Sequence, residues 1–305
     1  MFNRQDTTID ARWTGRLVAA ATLVLMAVLV LAGCSGGTTV KESMSKYSWA
    51  ELSAISTEIS EAESDAAGRE IATEYNLLNS SGKIDTSTKE VRLSDGTDAH
   101  VMLAGIRHDD LSSGGKAGLT FVFTDAPIAH AMNGSASNDG GWEKSEMREW
   151  LNEDFAGMLP SDLKGAIKAV NKKTNNSAYT SPGSVSSTSD KLWLLSLVEI
   201  GGSVSPNDIV GGSGIPAATY NAEGKQYQVF SEMKVSGNDD NAKLERTFTG
   251  SDGNGIVMSG EPCSWWQRSL SMTWTSGFAA VDAEGNPLNA WITDYELGVV
   301  PGFSL

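Results

Sequence analysis

Cysteine occurs twice in the 305 residues, at Cys34 and Cys263, and the fate of the first decides how the rest must hold together. Leu17 to Ala32 form a sixteen-residue apolar run broken only by Thr22, preceded by Arg4, Arg12 and Arg16. That is the layout of a secretory signal peptide, and it falls short of the about 20 apolar residues a spanning helix wants. The run closes on Leu31-Ala32-Gly33-Cys34-Ser35. An uncleaved anchor helix with an incidental cysteine is the alternative.

That pentapeptide resembles the lipobox of bacterial lipoproteins, where an aliphatic and two small residues fit a peptidase pocket ahead of a thiol. The resemblance implies a diacylglycerol thioether on Cys34, cleavage after Gly33, and a mature chain held by lipid on the extracytoplasmic face of a bacterial membrane. Cys263 is then the only free thiol, so no intrachain disulfide forms although the compartment permits one. The fold has to stand on its core. A small buried hydrophobe is the commoner role for such a cysteine, a nucleophile the rarer one.

Removing residues 1 to 33 takes three Arg and two Asp from the 23 basic and 38 acidic residues, leaving 20 against 36 and a net charge of −16. So acidic a body is not drawn to phosphate backbones or anionic headgroups, and nucleic acid is not an expected partner. With 40% hydrophobic and 20% charged residues the chain reads as globular rather than disordered.

Residues 34 to 45 read as a short polar tether, and 46 to 89 as a helical lead. Trp49, Leu52, Ile55 and Ile59 recur at helical spacing with glutamates on the other face; Gly68 is expected to interrupt, and a second helical stretch runs through Ile71, Tyr75 and Leu78. The body, 90 to 305, opens with a hairpin of Val91–Leu93 and His100–Ile106 turned by Asp95-Gly96. A strand follows at Leu119–Phe123, then a helix carrying Met147, Trp150, Leu151 and Phe155. Ser161 is placed as the cap of a helix bearing Leu163, Ile167 and Val170. Leu192 to Ile200 reads as a fully buried strand. Residues 201 to 260 hold 11 of the 32 glycines, so they are expected to be a loop-rich surface insertion around a strand at Tyr227–Met233. Strands at Ser264–Ser269, Phe278–Val281 and Leu297–Leu305 close the chain.

Three stretches carry a second resemblance: Gly141-Trp142-Glu143-Lys144-Ser145-Glu146-Met147-Arg148-Glu149-Trp150-Leu151-Asn152, then Thr188-Ser189-Asp190-Lys191-Leu192-Trp193-Leu194-Leu195-Ser196, then Trp265-Trp266-Gln267-Arg268-Ser269 with the terminal Gly298-Val299-Val300-Pro301-Gly302-Phe303. Over residues 90 to 305 they resemble a bacterial domain of unknown function found in surface lipoproteins, itself similar to C-type-lectin-like and formylglycine-generating-enzyme-like folds. The resemblance implies an α+β domain in which two helices flank a twisted antiparallel sheet, with long loops presenting one face to ligands. In proteins of this fold that bind partners, contacts often fall between the Trp-Trp-x-Arg-Ser strand and the last strand. That interval holds Met272, Trp274, Asn289, Trp291, Asp294 and Tyr295, whose aromatic faces and polar tips suit a sugar, peptide or surface protein. Trp142, Trp150, Trp193, Trp265 and Trp266 are expected in the core, and Arg268 is expected to pair with an internal carboxylate.

The expected function is therefore a membrane-anchored, non-catalytic ligand-binding or adhesion module. An accessory envelope lipoprotein docking to a partner through the apolar stripe of its helical lead is the alternative, and a hydrolase with two converging carboxylates a third reading. The cysteine pair of a formylglycine-generating enzyme is missing. Nothing places His100, His108 or His130 beside Cys263, and His108-Asp109-Asp110 reads as a solvated turn. No cofactor is expected. Calcium stays a minor alternative, since lectin-type Glu-Pro-Asn and Trp-Asn-Asp tripeptides are missing and neither Asn238–Asn241 nor Ser251–Asn254 has the spacing of a calcium loop.

Overall fold

Ser48 follows a 3-10 turn at Met44–Lys46 and starts the first helix, α1 (Trp49–Ser60), through a capping box. Its Oγ accepts from Glu51 N at 3.2 Å while the Glu51 carboxylate accepts from Ser48 N at 2.7 Å, an arrangement worth about 1 kcal/mol. The computed structural model in which this is seen describes residues 38–176, 185–205, 217–237, 241–250, 260–271 and 275–305. The signal segment and lipobox with Cys34, both oxygen-rich loops except Asn241, and two of the proposed contact residues, Met272 and Trp274, lie outside the described residues. Among the described residues no helix is long and apolar enough to cross a membrane.

Helix α2 (Asp65–Glu74) follows α1. Gly68 lies inside it rather than interrupting it, and its lack of a side chain makes room for Arg107, whose Cδ would stand 2.4 Å from a Cβ there. The expected hairpin forms from β1 (Lys89–Arg92) and β2 (Asp98–Ile106), with Gly96 at φ 94° in the turn. Next come β3 (Leu119–Phe123) and β4 (Ala129–Ala131). The expected helix at Met147 is built in three parts: α3 (Glu146–Trp150), a π-helical turn (Leu151–Phe155) and α4 (Ala156–Met158). Helix α5 (Ser161–Ala166) has Pro160, not Ser161, at its cap position, because Pro160 is extended and the helix begins at the residue after it.

Strands β5 (Val170–Asn175) and β6 (Val185–Asp190) make a separate antiparallel pair, so Val170 starts a strand and does not extend α5. The stretch Leu192 to Ile200 is a strand only over β7 (Leu192–Leu194). A second capping box, Ser196 with Glu199, then turns it into α6 (Leu197–Gly201). Helices α7 (Ala217–Asn221) and α8 (Gln228–Glu232) follow, the latter where a strand was expected at Tyr227–Met233. The rest is strand: β8 (Arg246–Thr247), β9 (Pro262–Cys263), β10 (Trp265–Leu270), β11 (Gly277–Val281), β12 (Asn289–Ile292), β13 (Glu296–Gly298) and β14 (Pro301–Ser304).

Among the described residues the larger sheets are two, of five strands each, ordered β1-β2-β3-β14-β7 and β12-β11-β10-β13-β4. The first is antiparallel throughout; the second contains the parallel pair β10 and β13. The closing apolar run, expected as one strand, is two strands in different sheets. Gly298 N donates to Ser264 O and Val299 N to Ile128 O, whereas Leu305 N donates to Leu119 O. Crossing between sheets there lets Val299 and Val300 be fully buried. The fold is α+β, as the element pattern predicts.

The helical lead belongs to the same core as the strands. Trp49, Leu52, Ile55 and Ile59 are buried, and the Trp49 ring lies edge-on to Phe121 at 5.8 Å and to Phe303 at 5.9 Å. Ser56 Oγ donates to Leu305 O at 2.5 Å and accepts from Leu119 N at 3.0 Å. At about 1.5–3 kcal/mol per large apolar side chain, this stripe is spent inside the molecule, which corrects its expected use as a docking face. The insertion reading of 201–260 also needs correction: Tyr220, Tyr227, Phe230, Leu244 and Phe248 are buried, and their aromatic and leucine side chains supply core that sparse aliphatic runs concealed.

Candidate ligand-binding cleft

Strand β5 alternates Val170, Lys172 and Thr174 inward with Asn171 and Lys173 outward, the two-residue period of a pleated strand. It thereby sets one lysine in the interior and its neighbour at the surface. Buried Lys172 Nζ donates to Asp109 Oδ1 at 2.7 Å and to Tyr227 OH at 3.1 Å, and lies 2.5 Å from Glu199 Oε1. The Trp193 ring faces it at 4.6 Å. Glu199 is the N3 residue of the α6 capping box, its Oε2 accepting from Ser196 N at 3.0 Å, and it also pairs with the Arg268 guanidinium. The expectation for Arg268 holds.

Arg268, on β10, is fully buried and fully used. Besides Glu199 it donates to Thr174 Oγ1 and Leu194 O at 3.0 Å each, to Glu223 O at 2.9 Å and to Lys173 O at 3.3 Å. Burial alone would raise the Glu199 carboxyl and lower the Arg268 guanidinium; their pairing reverses both, with Lys172 adding to it at Glu199, so that Glu199 is held low and Arg268 high. Asp109 is likewise held well below the usual carboxylate range, Lys172 outweighing its desolvation. Its oxygens also accept from Thr120 Oγ1 at 2.7 Å and Tyr227 OH at 3.1 Å. Glu223 is different. Burial pushes its carboxyl up to about 7, Arg268 countering only part of that, while it accepts from Asn175 N at 3.0 Å and from Ser269 Oγ.

This network floors a cavity of about 420 Å³. One wall is the 107–110 turn after β2. Arg107 there adopts φ 50° and is fixed by donating to Ile59 O and Ser60 O at 2.8 and 2.6 Å, the carboxyl end of α1, and to Asp65 at 3.1 Å. His108 lines the cavity and its ring lies 4.2 Å from that of Tyr227. The turn is only half solvated, contrary to expectation: Asp110 is exposed and paired with Lys116 at 2.7 Å, but Asp109 is 4% exposed because Lys172 draws it inward. The opposite lip is Ala222-Glu223-Gly224-Lys225. At Gly224, φ 153°, a Cβ would come within 3.2 Å of Glu199, so the lip closes down over the network only with glycine.

Of the contact residues expected from the lectin-like resemblance, the described ones, Asn289, Trp291, Asp294 and Tyr295, are not among those lining this cavity. Asn289 and Trp291 lie on β12, an edge strand of the second sheet. Trp291 is half-buried, its ring 5.8 Å from that of Tyr295, which is 52% exposed, and Asn289 and Asp294 are exposed nearby in sequence. Trp142, Trp193, Trp265 and Trp266 are buried and Trp150 is packed against the core. Cys263 is buried with its thiol pushed up to about 12 by burial, as suits a small hydrophobe.

The class defined so far is an α+β domain whose sheets and helices enclose a polar cleft. Residues 117–305 match the family described as Domain of unknown function (DUF6273); that is more than half of the chain, and the protein belongs to this family. No curated protein and no solved structure matches it.

Proposed function

We propose that the protein is a lipid-anchored extracytoplasmic module that binds a ligand without transforming it, and that the cleft above Lys172 is its ligand site. The lipobox-like Leu31-Ala32-Gly33-Cys34 supports the anchor. The observation that carries the binding reading is the cleft itself. Its volume of about 420 Å³ is of the size that holds small ligands, and its floor is prefixed by charge-assisted bonds, so little ordering remains to be done on binding. Two carboxylates, Asp109 and Glu199, do converge, as a hydrolase would need. They converge on Lys172 Nζ, and their oxygens are committed to it, to Tyr227, Thr120 and Arg268. That favours a fixed floor over proton transfer.

A second reading, adhesion to a glycan or surface protein, is favoured by the exposed Tyr295 beside Trp291, with Asn289 and Asp294 exposed near them in sequence; Met272 and Trp274 are the sequence-proposed contacts that would join them. A C-type-lectin-like fold is part of this second reading, and antiparallel strands packed with helices support it. Docking through the lead helix loses support because its stripe is buried.

The test screens glycan, peptide and metabolite arrays with the full chain in detergent. Ala222→Trp, which fills the cleft from an exposed lip position, and a Trp274→Ala, Trp291→Ala double variant are screened in parallel. A hit lost only in Ala222→Trp supports the cleft, and one lost only in the double variant transfers the function to the aromatic edge. Metabolic labelling with an alkyne fatty acid should mark the protein and fail with Cys34→Ala; labelling that survives that change would overturn the anchor.

A further inference from the structure

Resting on the cleft as a ligand site, we infer that its ligand is a compact anion, bearing a carboxylate or phosphate group, received by Lys173 and Lys225 with His108 behind them. The argument is a charge account of the lining. Five cationic and five acidic side chains line the cavity: Arg107, Lys116, Lys172, Lys173 and Lys225 against Asp65, Asp109, Asp110, Glu199 and Glu223. Arg107 is matched with Asp65 and Lys116 with Asp110. Lys172 is held between Asp109 and Glu199. Glu223 has its oxygens occupied by Asn175 N and Ser269 Oγ.

Arg268, beneath the floor, answers Glu199, so the charges left over, Lys173 and Lys225 against Glu223, balance on the positive side. Lys173 and Lys225 are exposed on the lining, one on the outward face of β5 and the other on the lip after α7. Neither is in an ion pair among the described residues. In a chain of net charge −15, these two ammonium groups give the cleft a local attraction for an anion. His108 adds a directional group: its Nδ1 lies 3.6 Å from the Asp109 carboxylate, beyond hydrogen-bond distance, and its buried Nε2 has no hydrogen-bond partner among the described residues, a deficit that a ligand oxygen would relieve. A cationic ligand meets no uncommitted carboxylate in this lining.

The experiment is isothermal titration of the full chain in detergent with inorganic phosphate, citrate and N-acetylglycine, and with spermidine and glucose as cationic and neutral comparators. At least one anion should bind, weaken tenfold or more in a Lys173→Met, Lys225→Met double variant, and be lost in Ala222→Trp. Which anion binds separates phosphate from carboxylate recognition. These exposed positions leave the core intact, which near-ultraviolet circular dichroism would verify. Anion affinity unchanged in the lysine double variant overturns the inference. Spermidine or glucose binding that is lost in Ala222→Trp, without anion binding, also overturns it but leaves the cleft as a ligand site. No titrant responding to Ala222→Trp removes both.

Discussion

Among the described residues two arginines, Arg268 and Arg246, are buried, and they are held in opposite ways. Arg268, under the cleft, spends its donors on Glu199, Thr174 and three backbone carbonyls. Arg246, on the two-residue strand β8, donates through Nη1 to Lys243 O at 3.0 Å and Glu245 O at 2.8 Å. Its Nε and Nη2 are buried without a hydrogen-bond partner among the described residues. The Trp265 ring, 5.5 Å away, offers only a cation–π contact. Arg268 is accordingly held above its ordinary value, and burial brings Arg246 down to about 10. Burial alone is a cost to a guanidinium; bonded carboxylate and carbonyl partners turn it into structure.

The sharpest way to break this comparison is to remove Arg268. Arg268→Met leaves Glu199 facing Lys172 alone and strips Thr174, Leu194 and Glu223 of a donor. A loss of about 3–5 kcal/mol is expected in urea unfolding. Replacing Glu199 by Met as well should cost less than the two single changes summed, since each single variant strands a buried charge. A loss below about 1 kcal/mol in Arg268→Met would show that packing, and not the ion network, holds the cleft floor.

Glu223 sharpens the same contrast through pH. Its carboxyl is raised to about 7, chiefly by burial, so its contribution to stability is fully present below the usual carboxylate range and is lost as pH rises through about 7. Asp109 and Glu199 are held low, so theirs is present above that range and lost only in more acid solution. Between pH 5 and 8 the Glu223 effect is therefore unopposed by them. The parent should lose on the order of 2 kcal/mol over that interval, and Glu223→Gln should flatten the slope. An unchanged slope in the variant would place the titrating group elsewhere.

The sequence already carried the lead helix, the first hairpin, β3 and the core tryptophans, because each follows a clean period or a strong turn signal. It misplaced Leu192 to Ile200 for a physical reason. An apolar run buried on all sides has no period to read, and the decisive mark was the capping pair Ser196 and Glu199 within it. The same glutamate is the centre of the ion network, so missing the cap meant missing the cleft. Lys172 was legible only as the inward member of a strand whose polar composition, Val-Asn-Lys-Lys-Thr-Asn, hides the alternation. Arg268 could be assigned to a carboxylate but not to which one, since Glu199 is 69 residues away in sequence.

The smallest expected effect is at Arg246. Arg246→Met keeps the length of the side chain over Trp265 and deletes a guanidinium that two of its three nitrogens leave unsatisfied. The carbonyls it releases, of Lys243 and Glu245, belong to exposed residues and can bond to water, so little is stranded. Asp125 loses a nearby cation but keeps His100, whose Nδ1 is 3.0 Å from its carboxylate. Stability should change by less than about 1 kcal/mol in either direction. Cys263, whose thiol Arg246 draws down against the stronger effect of burial, should stay unreactive to a thiol reagent in the folded state. A loss approaching that of Arg268→Met would mean that the cation–π contact and two carbonyl bonds do for Arg246 what the carboxylate does for Arg268, and the distinction between the two arginines would not stand.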